Sequence, residues 1–143
     1  MASAEFHELL SVDKDKLYSV ITRYEDYPQF VDGCKSVQVE RKGAGRARVT
    51  YHVSMMKDIT YTLDHEEDPA SGKVLWQLVE SDFFKKDTGR WELKQLGPGK
   101  TDVLYVLDVE FKIPVPGLIL NRLVKGSLPS MVKSFEKRAK AGS

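Results

Sequence analysis

Ala47-Arg48-Val49-Thr50-Tyr51-His52-Val53-Ser54-Met55 is the stretch whose reading decides the fold. Apolar side chains at 47, 49, 51, 53 and 55 alternate with polar ones at 48, 50, 52 and 54, the period of a strand with one buried and one wet face. The same period recurs downstream. Ile59, Tyr61 and Leu63 stand against Asp58, Thr60, Thr62 and Asp64. Val74, Trp76 and Leu78 follow the turn Asp68-Pro69-Ala70-Ser71-Gly72, and Trp91 and Leu93 precede the turn Gly97-Pro98-Gly99. Val103, Tyr105, Leu107, Val109 and Phe111 complete the last strand. Upstream, residues 35–40 read as a strand closed by Arg41-Lys42-Gly43-Ala44-Gly45. The pattern predicts a meander of six antiparallel strands, with a weaker first strand over residues 6–10.

Helical periods flank the meander. Asp13 is the expected N-cap of a short helix over residues 14–23, which carries Leu17, Val20 and Ile21 on one side. Tyr27-Pro28 interrupts it, because proline steers its predecessor away from helical geometry, and Pro28 is expected to open a second short helix. Beyond Pro114-Val115-Pro116-Gly117, the residues Leu120, Val124, Leu128, Met131 and Phe135 form a helical stripe. Gly126 and Pro129 are expected to bend that helix. A one-sided antiparallel sheet must cover its apolar face, and this C-terminal helix is the only element long enough to do so. The prediction is an α+β fold: a seven-stranded curved sheet wrapped around one long helix, with two short helices between strands 1 and 2.

Composition narrows the functional classes. The 143 residues suit one domain spanning 1–143. Twenty-two basic residues against 21 acidic ones leave a net charge of +1, which argues against broad adhesion to nucleic acid, DNA included. A lone cysteine, Cys34, excludes an internal disulfide and suits a reducing, cytoplasmic setting. The opening residues show no signal peptide, and residues 113–120 are far short of the roughly 20 needed to span a bilayer. Strand parity puts His52 and His65 on opposite faces, so no metal site is expected, and no cofactor motif survives inspection. Gly99-Lys100-Thr101 ends like a phosphate-binding loop, but Lys94 occupies the position where that motif needs glycine.

Several segments resemble a known superfamily. Arg23-Tyr24-Glu25-Asp26-Tyr27-Pro28-Gln29-Phe30 is similar to the D-x-x-x-Y-P-x-F segment of the polyketide cyclase/dehydrase and coenzyme Q-binding branch of the START/SRPBCC superfamily. Thr88-Gly89-Arg90-Trp91 resembles its G-x-W strand start, and Phe135-Glu136-Lys137-Arg138-Ala139 its helix end. After Phe30 the chain reads Val31-Asp32-Gly33-Cys34, where the coenzyme Q-binding branch carries a Leu-Pro-Trp-Cys-like run. The resemblance implies the helix-grip fold also found in birch-pollen-allergen-like proteins. That scaffold hosts carriers, transfer proteins and enzymes.

The inward faces carry Tyr51, Tyr61, Trp76, Trp91 and Tyr105, with Phe111 at the end. Tight cores favour aliphatic fillers, and so many polar-tipped rings point to an amphipathic interior, a ligand cavity. Its expected walls are Tyr51, Val53, Tyr61, Leu63, Trp76, Leu78, Trp91, Leu93, Tyr105 and Leu107 from the sheet. Leu120, Val124, Leu128, Met131 and Phe135 are expected from the helix. The turns divide by polarity, and Met55, Met56, Phe83, Phe84, Val115 and Leu118 gather at one end as the expected mouth. Lys57, Lys85, Lys86 and Lys112 flank it, as suits a transient contact with an anionic membrane.

Three functions are compatible with this reading. The first is binding, and transport, of a hydrophobic small molecule such as a lipid, an isoprenoid or quinone, or a polyketide. The second is a cyclase or aromatase using general acid–base chemistry. Parity sends Arg48, His52, Asp58, Arg90, Glu92, Asp108 and Glu110 outward, leaving His65, Glu80 and the tyrosines as inward candidates. The third is a toxin-like module that contacts ribosomes through the basic tail Lys133, Lys137, Arg138 and Lys140.

Overall fold

The computed structural model describes residues 2–54, 57–121 and 128–141. Strand β1 (Ala2–Leu10) is followed by helix α1 (Lys14–Thr22) and a 3-10 turn (Tyr24–Gln29). Strands β2 (Cys34–Gly43), β3 (Arg46–Ser54), β4 (Asp58–Asp68), β5 (Lys73–Ser81), β6 (Phe84–Gly97) and β7 (Lys100–Phe111) come next. Helices α2 (Gly117–Asn121) and α3 (Leu128–Lys140) end the chain. The seven strands form one antiparallel sheet in the order β1-β7-β6-β5-β4-β3-β2. This is the expected α+β helix-grip arrangement. The predicted C-terminal helix is described as α2 and α3, and Val124 lies outside the described residues, between them.

Local chemistry departs from expectation at four places. Asp13 sits at the N-cap of α1 in extended geometry, but its carboxylate does not cap the helix. It accepts hydrogen bonds from the Gly99 N–H (2.7 Å) and the Gln95 amide (3.1 Å), tying α1 to the β6–β7 turn. Gln95 returns its Oε1 to the Lys14 N–H, so a side chain from β6 caps the helix. Pro28 lies inside the 3-10 turn rather than opening it; the turn starts at Tyr24, and the Tyr27 hydroxyl donates back to the Ile21 carbonyl. Strand β6 begins at Phe84, so the expected five-residue turn over 82–86 shrinks to two residues. In β5, Val79 is an extra residue in the ladder, since Leu63 pairs with Leu78 and Thr62 with Glu80. The bulge reverses parity, so Glu80 lies opposite Thr62 and exposed, not inward.

The sheet's outer face is held by cross-strand ion pairs, as parity requires. Arg48 grips Asp64 with two hydrogen bonds (2.8 and 3.1 Å) and Lys86 meets Asp108 at 2.9 Å, while Arg90 pairs with Glu92 two residues along the same strand, β6. The inner face is apolar and meets α3, which buries Leu128, Val132, Phe135 and Ala139. Met131 is half-buried at the edge of that stripe. Phe135 is the centre of the contact: its ring lies 5.1 Å from Trp91, 5.2 Å from Tyr27 and 5.1 Å from Phe30.

Gly89 shows why the G-x-W segment needs a glycine. It pairs with Trp76 across β5 and β6, and the Trp76 indole lies directly over it. A Cβ there would sit 2.3 Å from the Val106 carbonyl oxygen and 2.4 Å from the indole Cζ2. Neither a strand carbonyl nor a buried ring can retreat cheaply. Gly89→Ala is expected to destabilise the protein by about 1–3 kcal/mol in chemical denaturation and to shift the tryptophan emission. A loss under about 0.5 kcal/mol would show that the ring is not seated as described.

Candidate functional site

Between the inner sheet face and α3 lies a cavity of about 620 Å³, within the range of small-molecule sites. Strand parity brings Tyr51, Val53, Tyr61, Leu63, Trp76, Trp91, Tyr105 and Leu107 to its wall, and α3 adds Leu128, Met131 and Phe135. Leu93 and Leu78 were expected there too. Leu93 is instead packed in the core, and Leu78 stands half-buried beside the β5 bulge, off the wall. Met55, Met56 and Val124 lie outside the described residues, as does the side chain of Leu120.

The wall also holds residues that the sequence reading did not place there. The segment after the 3-10 turn contributes Val31, Asp32, Gly33 and Cys34, with Tyr27 behind it. This stretch has no period to read. Further additions are Asp87, its neighbour Val109 and the serines Ser54, Ser130 and Ser134, while Phe111, read as the inward end of its strand, lines the wall as well. Asp87 shares the parity of Gly89, Trp91 and Leu93, so extending β6 backward from Trp91 would have found it.

Asp87 is the chemical focus of the wall. It is 5% exposed, and one carboxylate oxygen accepts a hydrogen bond from the Trp76 indole N–H at 3.1 Å. Burial pushes its pKa up to about 7, against the opposing pull of the indole. A charge on Asp87 also raises the pKa values of the Tyr61 and Tyr105 phenols, which burial already holds protonated. The carboxyl and these two phenols line the same, mainly apolar cavity.

A second polar chain runs along the 3-10 turn side. The Tyr51 hydroxyl and His65 Nε2 share a 2.8 Å hydrogen bond, and the imidazole stacks on Tyr24 with centroids 4.4 Å apart. The Tyr24 hydroxyl donates to Glu67 (2.6 Å), which also accepts from Arg41 (2.9 Å). His65 is buried, and desolvation drives its pKa down to about 3, so the ring is neutral. Its Nδ1 has no partner among the described residues. Among the described residues no cluster of three or more His, Cys, Asp or Glu could hold a metal.

The expected mouth is less exposed than its sequence suggests. Phe83 and Phe84 are buried, since both backbone N–H groups donate to Ser81 Oγ at 3.0 Å and their rings pack on Phe111. Phe84 lines the cavity, whereas Phe83 packs behind it. Lys112 is drawn to the Ser81 carbonyl (2.6 Å), and Lys57 sits over the Phe83 ring. Exposed apolar surface falls instead on Ile113 and on Leu118, which is 75% exposed; Val115 is half-buried, and neither it nor Leu118 lines the cavity. The basic tail is largely paired: Lys133 with Glu8 (3.0 Å), Lys140 with Glu136 (3.7 Å) and Arg138 with Asp26 (3.9 Å). No described helix is long and apolar enough to cross a membrane.

A curved sheet gripping a C-terminal helix over a cavity defines a START-type domain. Residues 10–136 match the family described as polyketide cyclase/dehydrase and lipid transport, and the chain belongs to that family. Among solved structures, a START superfamily protein from Mycobacterium smegmatis is 24% identical, with a TM-score of 0.86 over 99% of both chains. The Zhui aromatase/cyclase from Streptomyces sp. R1128 superposes with a TM-score of 0.87 at 16% identity, covering 97% of this chain and 93% of that one. The ribosome association toxin RatA of Escherichia coli K12 is 25% identical over 132 residues, 92% of this chain and 83% of its own length.

The two buried titrating groups act on stability in opposite senses. For Asp87 the folded pKa lies above the unfolded one, so its contribution is full at low pH and is lost as pH rises from about 4 to 7. For His65 the folded pKa lies below the unfolded one, so stability is gained as pH rises from about 3 to 6.5. The two slopes oppose each other between about pH 4 and 6.5. The stability of Asp87→Asn minus that of the parent is expected to rise across pH 4 to 7, by at most about 1.4 kcal/mol per unit, and then level off. A flat difference in urea titrations would show that Asp87 is not desolvated in the folded state.

Proposed function

We propose that the protein binds, and shuttles, a hydrophobic small molecule in the cavity between its sheet and α3: a lipid, an isoprenoid or quinone, or a polyketide. One observation carries the proposal: about 620 Å³ of room lies behind walls that are mainly aromatic and aliphatic. Removing roughly 300 Å² of ligand surface from water there supplies on the order of 7 kcal/mol before the costs of association. The hydroxyls of Tyr61 and Tyr105 and the Asp87 carboxyl orient one polar end. Family membership, with lipid transport in the family's description, points the same way.

A second reading, cyclase-type acid–base chemistry, is favoured by Asp87, since a carboxyl titrating near neutrality can both give and take a proton. Ribosome association rests on the name that two relatives share and on a tail whose charges are mostly engaged in ion pairs.

Native mass spectrometry of the purified protein is expected to show co-purifying apolar mass that organic extraction removes. Extracted protein is expected to take up an environment-sensitive apolar dye such as Nile red, with enhanced emission. Protein that carries no extractable mass and leaves the dye dark would contradict the reading. Salt-dependent co-sedimentation with ribosomes in the same preparation would favour the toxin-like alternative.

A further inference from the structure

We propose that Asp87, with the Tyr61 and Tyr105 hydroxyls, forms a head-group site that selects apolar molecules ending in a neutral hydroxyl and rejects those ending in a carboxylate. The proposal rests on the cavity-binding reading above and narrows its ligand class. Three strands converge on the site: Tyr61 from β4, Asp87 from β6 and Tyr105 from β7. Asp87 is nine-tenths buried or more, faces the cavity and is oriented by the Trp76 indole N–H on one oxygen. Neither phenol hydroxyl is hydrogen-bonded to another described residue, so each is free to meet a ligand.

A hydroxyl suits this arrangement because it is both donor and acceptor. It can donate to the Asp87 carboxylate or accept from the carboxylic acid, and it can accept from either phenol in both states. A ligand carboxylate would instead bring a second negative charge beside Asp87 in surroundings of low dielectric, where like charges repel far more than in water. The described wall supplies no lysine or arginine to neutralise it. The one imidazole, His65, is held neutral by its burial, and its Nε2 is committed to Tyr51. A site of this kind discriminates mainly against the wrong head group, by leaving charges unpaired.

The test compares two molecules with one isoprenoid tail, farnesol and farnesoic acid, as competitors of Nile red on extracted protein at pH 8, where the acid is ionised. The parent is expected to bind farnesol at least about tenfold more tightly than the acid. Asp87→Asn keeps an acceptor for the Trp76 indole and removes the charge. It is expected to narrow the preference by about three- to tenfold, chiefly by tightening the acid, while the cost of burying an unpaired carboxylate remains. Tyr105→Phe is expected to weaken farnesol by about two- to tenfold while leaving Nile red affinity unchanged. Equal binding of the two by the parent would overturn the inference, as would a preference that Asp87→Asn leaves unchanged. If the dye binds while the preference is absent, only this head-group assignment fails; if neither dye nor farnesol binds, the cavity-binding reading fails with it.

Discussion

The structure turns on the docking of Phe135 against the sheet. Its ring meets Trp91 from β6 and Tyr27 and Phe30 from the 3-10 turn, all near 5 Å between centroids. Aromatic contacts of this kind contribute about 0.5–1.5 kcal/mol each beyond their buried area. Their bulk also sets a distance. A helix seated on Trp91 and Tyr27 by a phenylalanine stands off from the curved sheet, and the described side chains of α3 line the space beyond the contact without filling it. The cavity is the geometric result of pinning a straight element to a bent one at one end.

That open space then governs the chemistry of whatever faces it. The burial that keeps the tyrosine phenols protonated raises Asp87 and lowers His65. Each shift favours the uncharged form, the signature of desolvation rather than of ion pairing. Charges are spent elsewhere: on the outer face, where Arg48 meets Asp64, and around α3, where Glu136 accepts from the Ser11 N–H. The buried groups of the wall are thus mainly uncharged near pH 6, and Asp87 is the one among them close enough to neutrality to change state.

Much of the fold was legible because antiparallel strands with one wet face write a period of two into the chain. Residues 47–53 carry it without interruption, residues 103–109 keep it on the inward face although Leu104 and Val106 make the other face partly apolar, and the C-terminal stripe carries the longer period of α3. The site was legible to the same depth. Tyr51, Tyr61, Trp76, Trp91 and Tyr105 follow from parity alone. What stayed hidden lies where parity fails. Phe83-Phe84-Lys85-Lys86 looks like a turn, which concealed the first half of β6 and Asp87 with it. The extra residue Val79 turned Glu80 outward, and a bulge leaves no mark in a half-apolar sequence. Val31 to Cys34 reach the wall through a loop, whose path depends on Tyr27 and Gly33 rather than on any repeat. Asp13 has the residue type of a cap, but tertiary partners in the β6–β7 turn won its carboxylate.

The central claim is that the space beside Leu107, on the β7 wall facing α3, is vacant, and Leu107→Trp tests it most directly. If the room exists, the larger ring enters it; stability in urea stays within about 0.5 kcal/mol of the parent or rises, and Nile red uptake is lost. If the protein's own side chains already fill that space, the substitution overpacks the core, costing about 1–3 kcal/mol and leaving dye uptake as it was.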